Sequence, residues 1–331
     1  MITPTTAARA RAQLLGSDRA ESVAEVVRTV VAVQAQDVRP ARLAVRVRSR
    51  GLVAADVDAA CRDAVVVRTW LMRGTLHMVL ADDVRWLLRV FGARNADKYA
   101  GRRRQLGLDD DLCRRALATL STVLADRPME RAPLVAALAE DGVVIDPASQ
   151  APAHLLMLAA SRGLVCRGPE TDRDEPTYVL LDDWAPRTDE DPAADLGRLA
   201  NRYLAGYGPA DAADLAAWSG LPVGLARRAF AAAGIEQAEP VGSGASAVRL
   251  LGHFDNYLLG YQDRQVHANG GFIMPTVLVG GRAVAEWRMT PAGEVSLEPF
   301  EALSDRVQRG VRAELDDLAR FLGKPVALVV R

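Results

Sequence analysis

Along this chain, stretches whose apolar residues recur at helical spacing give way, repeatedly and in the same order, to β-branched runs that turn back on themselves. Ala7 to Leu15, Ser22 to Gln34, Pro40 to Arg50 and Asp56 to Arg62 read as helices; Val65 to Met72 then runs extended to Arg73-Gly74, and Thr75 to Val79 returns as the second arm of a hairpin. The order recurs with helices over Asp110 to Ala125, Pro133 to Glu140 and Pro152 to Arg162, then Leu164 to Arg167, a charged turn at Thr171 to Glu175, and Thr177 to Leu181. It returns with Leu196 to Ala205, Ala210 to Ser219 and Val223 to Ala233, where Gly220-Leu-Pro is the tight turn of a helix-turn-helix. Strands at Ala247 to Leu251, Thr276 to Val279, Arg282 to Trp287 and Glu294 to Leu297 follow, with a last helix over Pro299 to Leu322.

Helices followed by a hairpin is the order of a winged helix. The sequence therefore predicts a mostly α fold with short β-hairpins (α+β), built as three tandem winged-helix units with additional C-terminal β structure and a terminal helix. The units are expected over residues 1–95, 96–190 and 191–331, with the Pro- and Asp-rich stretch Trp184 to Asp195 as a linker of low order.

A chain of 331 residues, half of them apolar and a quarter charged, has enough material for several cores and excludes disordered and collagen-like classes. No apolar run approaches the roughly 18 to 20 residues of a membrane span, and the start, Met1-Ile-Thr-Pro-Thr-Thr, has no export signal. Cys61, Cys113 and Cys166 are odd in number and far apart, with no CxxC and no zinc spacing. The expectation is a soluble, monomeric, cytoplasmic protein without a membrane partner, metal or organic cofactor.

Charge is distributed unevenly. Residues 1–108 hold 19 Lys+Arg against 10 Asp+Glu, whereas the remainder holds 22 against 32, so a net charge of -1 conceals a basic N-terminal third. Nearly all of the positive charge is arginine, Lys98 and Lys324 being the only lysines. Arginine suits bidentate phosphate contacts, and a polyanion partner is expected to meet this segment.

A DNA-binding regulator is the plain reading, but the helices offer little to base edges. Pro152 to Arg162 is almost wholly apolar, and Val223 to Ala233 presents only Arg227 and Arg228 beside leucine, phenylalanine and alanines. The units then serve as scaffold, with DNA held on a concave surface between them. GxSxG, GxxxxGK[ST], HExxH and a strand-to-helix GxGxxG are all missing, and His77, His154, His253 and His267 are scattered. What stands out is Gln34-Ala35-Gln36-Asp37, just before Arg39-Pro40. Proline disfavours helical geometry at Arg39, so the chain frays near Gln36, and residues two apart in an extended segment face the same side. Both amides then face one cavity. The alternative is a polar helix end in which the glutamines are solvated and Asp37 caps the next helix.

Val33 to Asp37, Arg68 to His77, Tyr207-Gly-Pro-Ala-Asp211 with Trp218, His253-Phe-Asp-Asn-Tyr-Leu-Leu-Gly-Tyr-Gln-Asp-Arg264 and Val277 to Trp287 together resemble, in order and over nearly the whole chain, the winged-helix, AlkZ-like bacterial DNA glycosylases. The resemblance implies three tandem winged helices, excision of alkylated purines, unhooking of interstrand crosslinks, and a catalytic Gln-apolar-Gln or Gln-apolar-Asp motif. Gln34 and Gln36 match the first form. Where the other branch carries Asp this chain carries Gln, which argues against conventional general-base catalysis.

Two amides suit such a substrate. An N7-alkylguanine or N3-alkyladenine is already cationic and leaves readily, so the enzyme must supply a positioned water and a suitable field at C1′. A glutamine carbonyl can accept from that water while its amide donates elsewhere. Asp37 and Asp255 are the carboxylates that could support the oxocarbenium charge, although Asp255 could equally be a structural acceptor. Arg39, Arg73, His77, Arg102 and Arg264 are the expected DNA contacts; for Arg102, within Arg102-Arg-Arg104, the alternative is a solvated face. With no lysine near the motif to form a Schiff base, water is the nucleophile and the enzyme monofunctional.

The function this implies is hydrolysis of the N-glycosidic bond of bulky N-alkylpurines in double-stranded DNA, in general repair or in self-resistance to a DNA-alkylating natural product. The rival reading is a non-enzymatic winged-helix DNA-binding protein, a regulator or damage-binding module.

Overall fold

The computed structural model describes residues 3–125, 127–185, 187, 191–234, 247–263, 268–269 and 272–329. They form two compact units: Met1–Val57 with Leu196–Arg331, and Asp58–Asp195.

The chain opens with α1 (Pro4–Ala12), started by a Thr3 and Thr6 capping box, and α2 (Val23–Val30), capped by the Ser22 hydroxyl and burying Val23, Val26, Val27 and Val30. A short extended piece, β1 (Val33–Gln34), leads to α3 (Val38–Arg46). The helix expected to reach Gln34 thus stops at Val30. Pro40 also acts differently from expectation: it sits in the first turn of α3, where its missing N–H would have had no intrahelical partner, and Arg39 is helical. α4 (Ala54–Arg62) contains the boundary between the units.

In the second unit β2 (Val66–Trp70) and β3 (Leu76–Leu80) pair as the expected antiparallel hairpin, Val66 opposite Leu80 and Trp70 opposite Leu76. Arg73 (φ 58°) and Gly74 (φ 78°) make the turn, and a Cβ on Gly74 would lie 2.7 Å from the Tyr99 hydroxyl. Next come α5 (Ala81–Lys98), α6 (Ala100–Gln105), α7 (Asp110–Val123), β4 (Met129–Glu130), α8 (Arg131–Glu140), α9 (Ala151–Ser161), β5 (Val165–Glu170), β6 (Pro176–Leu180) and the single turn α10 (Leu181–Trp184). The strands lie side by side in the order β3-β2-β5-β6-β4. As its composition implied, α9 is core, burying Leu155 through Ser161.

The expected boundary at 95/96 falls inside α5. The reason is packing: Trp70 and Leu76 of the first hairpin share one hydrophobic core with Leu120, Leu134 and Leu155 of the following helices, so that hairpin cannot close a separate first domain. Residue 190 and part of the predicted linker lie outside the described residues.

The chain then returns to the first unit with α11 (Asp195–Tyr207), α12 (Ala212–Ser219) and α13 (Val223–Ala233), Gly220 ending α12 in the left-handed conformation. After β7 (Val248–Leu251) and the single turn α14 (Asn256–Leu259) come the short strands β8 (Ala268–Asn269) and β9 (Phe272–Ile273), then β10 (Thr276–Val279), β11 (Arg282–Met289), β12 (Glu294–Pro299), α15 (Asp305–Leu322) and β13 (Ala327–Leu328). A sheet ordered β13-β12-β11-β10-β7 packs Val277, Ala285 and Trp287 against Val311, Leu315 and Leu318 of α15. Because β12 continues to Pro299, the terminal helix starts later than its sequence suggests. Arg46 of α3, buried, donates to Glu314 (2.8 Å), Asp317 (3.1 Å) and Leu250 O (3.1 Å), fixing α3 against this layer.

Candidate active site

The Gln34–Gln36 segment begins where α2 is cut short. Val31 has φ 64° and ψ −49°, and the Ala32 N–H donates to Val30 O at 2.7 Å, which makes a γ-turn of the rare positive-φ form. A β-branched residue in this conformation costs roughly 1–3 kcal/mol and persists only where its surroundings fix it. Here they do. The Tyr207 hydroxyl donates to Val30 O (3.0 Å), and Asn256 Nδ2 donates to Ala32 O (2.5 Å).

Beyond the turn Val33–Gln34 is extended, the chain bends at Gln36, and burial alternates from Val33 to Gln36. Val33 and Ala35 are wholly buried, Gln34 is half-buried and Gln36 exposed. Both glutamines thus stand away from the core that Val33 and Ala35 enter. Asp37 ends the segment, its carboxylate accepting from Arg39 N at 2.9 Å as the N-cap of α3. Of the two readings open for Asp37, the capping one describes its hydrogen bond.

Two site assignments are corrected. Asp255 is buried, gripped by Arg48 Nη1 and Nη2 at 2.8 and 2.7 Å and accepting from Tyr257 N at 2.9 Å, so it has no surface to offer a substrate. His77 is 2% exposed on β3, with Nδ1 2.9 Å from Thr75 O. Burial, assisted by the nearby Arg73 charge and opposed by the Thr75 carbonyl, lowers its pKa to about 3. It is neutral at physiological pH and does not reach solvent, which removes it from the DNA contacts.

Gln34, Gln36, Asp37 and Arg39 share one short stretch of the first unit, whereas Arg73 and Arg102 belong to the second. Arg39 is exposed; Arg73 is half-buried at the hairpin turn, its carbonyl accepting from Lys98 Nζ at 3.1 Å. Arg102 is exposed and donates to Gln150 Oε1 (2.9 Å), while Arg103 in the same run is buried and donates to Ala96 O (2.7 Å). Arg264 lies outside the described residues.

The basic N-terminal third is in part neutralised internally. Arg9 pairs with Asp214, Arg46 with Glu314, Arg48 with Asp255, Arg68 with Glu170, Arg85 with Asp182 and Arg89 with Asp195, each partner coming from the acidic remainder of the chain. The charge asymmetry along the sequence is therefore not a count of arginines facing solvent. Among the described residues no group of His, Cys, Asp and Glu is arranged to hold a metal ion, and no helix is long and apolar enough to cross a membrane.

Sequence reasoning missed the supports of the turn. Tyr207, Trp218 and Asn256 stand in the motifs quoted above without a role; in the structure Trp218 Nε1 (3.1 Å) and Asn256 Nδ2 (2.8 Å) both donate to the Tyr207 hydroxyl oxygen. The available signal was that these motifs carry hydrogen-bonding aromatic and amide groups inside apolar runs, where each needs a buried partner.

A model of the AlkZ-like DNA glycosylase family matches residues 27–321. The chain is 25% identical to an interstrand DNA cross-link repair glycosylase of Streptomyces sahachiroi, with 95% of each chain covered. Its fold is similar to that of the solved Streptomyces sahachiroi DNA glycosylase AlkZ, with a TM-score of 0.82 over 98% of each chain at 24% identity.

Proposed function

The chain belongs to the AlkZ-like family and is a DNA glycosylase, and on that premise we propose that Gln34 and Gln36 orient the water that replaces a departing N-alkylpurine at C1′. The observation that carries this reading is the alternation of burial: Val33 and Ala35 are buried, whereas Gln34 and Gln36 keep access to solvent.

An N7- or N3-alkylated purine carries its positive charge before the bond breaks, so no acid is required at the base. The carbonyl of one glutamine accepts from the water while the amides fix its direction toward C1′. Water, not an amine, is the nucleophile: the C1′–N bond breaks with its electron pair passing to the cationic ring, the C1′–O bond forms, the water's proton is released to bulk solvent, and the products are the neutral alkylated base and an abasic site. Asp37 stays at its helix cap and contributes only its charge.

Bulky N7-alkylguanine and N3-alkyladenine are the substrate class of this proposal, and the name of the Streptomyces relative extends it to interstrand crosslinks. A crosslinked purine is tied to the opposite strand and cannot be extruded into a closed pocket. The reading therefore requires open access to Gln34 and Gln36, and it takes Arg39, Arg73, Arg102 and Arg264 as phosphate contacts. The test is incubation with duplexes carrying an N7-alkylguanine, a crosslink, uracil or 8-oxoguanine. Released base and abasic sites are expected from the first two, and efficient uracil release would overturn the proposal.

A further inference from the structure

We infer that Tyr207, Trp218 and Asn256 form a positioning clamp on the Val30–Ala32 turn, which sets the direction of the Gln34–Gln36 segment and with it the rate of excision. This rests on the proposed role of the two glutamines and adds to it the residues that hold them.

The Tyr207 hydroxyl uses its full hydrogen-bonding capacity here. Its hydrogen goes to Val30 O (3.0 Å), and its oxygen accepts from Trp218 Nε1 (3.1 Å) and Asn256 Nδ2 (2.8 Å). Asn256 likewise uses both amide hydrogens, on Ala32 O (2.5 Å) and on Tyr207. Turned over, its carbonyl would face Ala32 O and a hydroxyl whose hydrogen is already donated; in the orientation present the buried Oδ1 has no hydrogen-bond partner among the described residues. The two carbonyls flanking Val31 are thus held by one connected network, with no ordinary helix continuation to replace it.

The far end of the segment is tied to the same place. Asp255, the neighbour of Asn256, grips Arg48 just beyond α3, the helix that begins after Gln36. Consecutive residues at the start of α14 therefore secure both the entry to the glutamine segment and the helix that follows it. Close backbone contacts leave the arrangement little slack: a Cβ on Gly206 would come 2.0 Å from Thr29 O, and one on Gly260 would come 2.8 Å from the Tyr207 ring. Tyr207 is locked against the end of α2 from one side and against α14 from the other.

The test uses the full-length protein and an N7-alkylguanine duplex, separating the saturating single-turnover excision rate from the enzyme concentration at half saturation. Tyr207→Phe, which keeps the ring, and Asn256→Ala are each expected to lower the saturating rate by about tenfold or more and to shift half saturation by less than about twofold. Leu315→Ala, which removes core packing in the same unit, should lower the melting temperature without changing the saturating rate at a temperature where the variant is folded. The decisive comparison is a double-mutant cycle: if the clamp acts through the two glutamines, then Tyr207→Phe adds no further loss to the residual rate of the Gln34→Ala, Gln36→Ala double variant. Additive losses, an unchanged rate in folded clamp variants, or failure of both clamp variants to fold would each overturn the clamp. Full excision by the Gln34→Ala, Gln36→Ala double variant would overturn the catalytic reading instead, and the clamp with it.

Discussion

Arg48 holds Asp255 through both terminal nitrogens, at 2.8 and 2.7 Å, and neither side chain reaches solvent. Such a pair is tolerated only because each charge neutralises the other. Removing one partner leaves a buried charge alone, at a cost of about 3–5 kcal/mol. Asp255→Ala should therefore lower unfolding free energy by that order in a denaturant titration, and the double variant Arg48→Met, Asp255→Leu should be less damaging than either single change. Undiminished stability with lost excision would return Asp255 to the list of catalytic groups.

Gln34→Ala and Gln36→Ala should each slow base release by at least about tenfold, equivalent to about 1.4 kcal/mol of barrier. Gln36 is exposed and Gln34 half-buried, so melting temperatures should scarcely move. Because an amide does not titrate, excision of a cationic purine should also show no pH step across the neutral range. Single-turnover rates over a pH series check both statements, and full activity in the double variant would remove the glutamines from the mechanism.

His77 makes stability depend on pH. Its folded pKa is depressed from 6.5 to about 3, so below pH 6.5 the unfolded chain takes up a proton that the folded chain refuses. The stability carried by the neutral ring is fully present above that pH and falls by about 1.4 kcal/mol per unit as pH drops, levelling near the folded value. Urea titrations at pH 7 and pH 5 should show the parent losing about 2 kcal/mol more than His77→Gln between them. Parallel losses would mean that His77 is protonated in the folded state.

Salt dependence reports the arginines that meet phosphate. Each neutralised phosphate releases a counterion, so Arg73→Ala or Arg102→Ala should flatten the slope of log affinity against log salt by about one. The intact protein should show a slope well short of what the N-terminal third suggests, because Arg9, Arg46, Arg48, Arg68, Arg85 and Arg89 already have carboxylate partners. Fluorescence anisotropy on an undamaged duplex gives the slope. A value near zero would place the DNA elsewhere.

The hairpin at Gly74 was legible from the β-branched runs that flank it and the glutamine pair from its two amides just before Pro40, although the apolar stripe reads as helix to Gln34, past Val30 where α2 stops. What surrounds them was less so. α5 went unseen although Asp82 and Asp83 in its first turn and Lys98 in its last are end signals. Its buried set includes Trp86, Leu87 and Leu88 in succession with Asp83 and Asn95, so burial wraps round the helix and leaves no stripe. Asp255 and His77 looked reactive because a sequence displays polarity and not burial: the Arg48 that neutralises Asp255 stands 207 positions away. The Val31 turn had no signal at all, since valine is a residue that no rule places at positive φ.

The unit that carries the glutamines is assembled from both ends of the chain, while Asp58–Asp195 is continuous. During synthesis the continuous unit has its whole core once residue 195 has left the ribosome, and domains fold as they emerge. Gln34 and Gln36 are made early, yet the residues that fix their segment, Tyr207 and Asn256, arrive late. A chain released before then bears both amides with nothing to aim them. On the proposed role of the two glutamines, excision waits on residues as late as Asn256, and a chain truncated before them is expected to lack it.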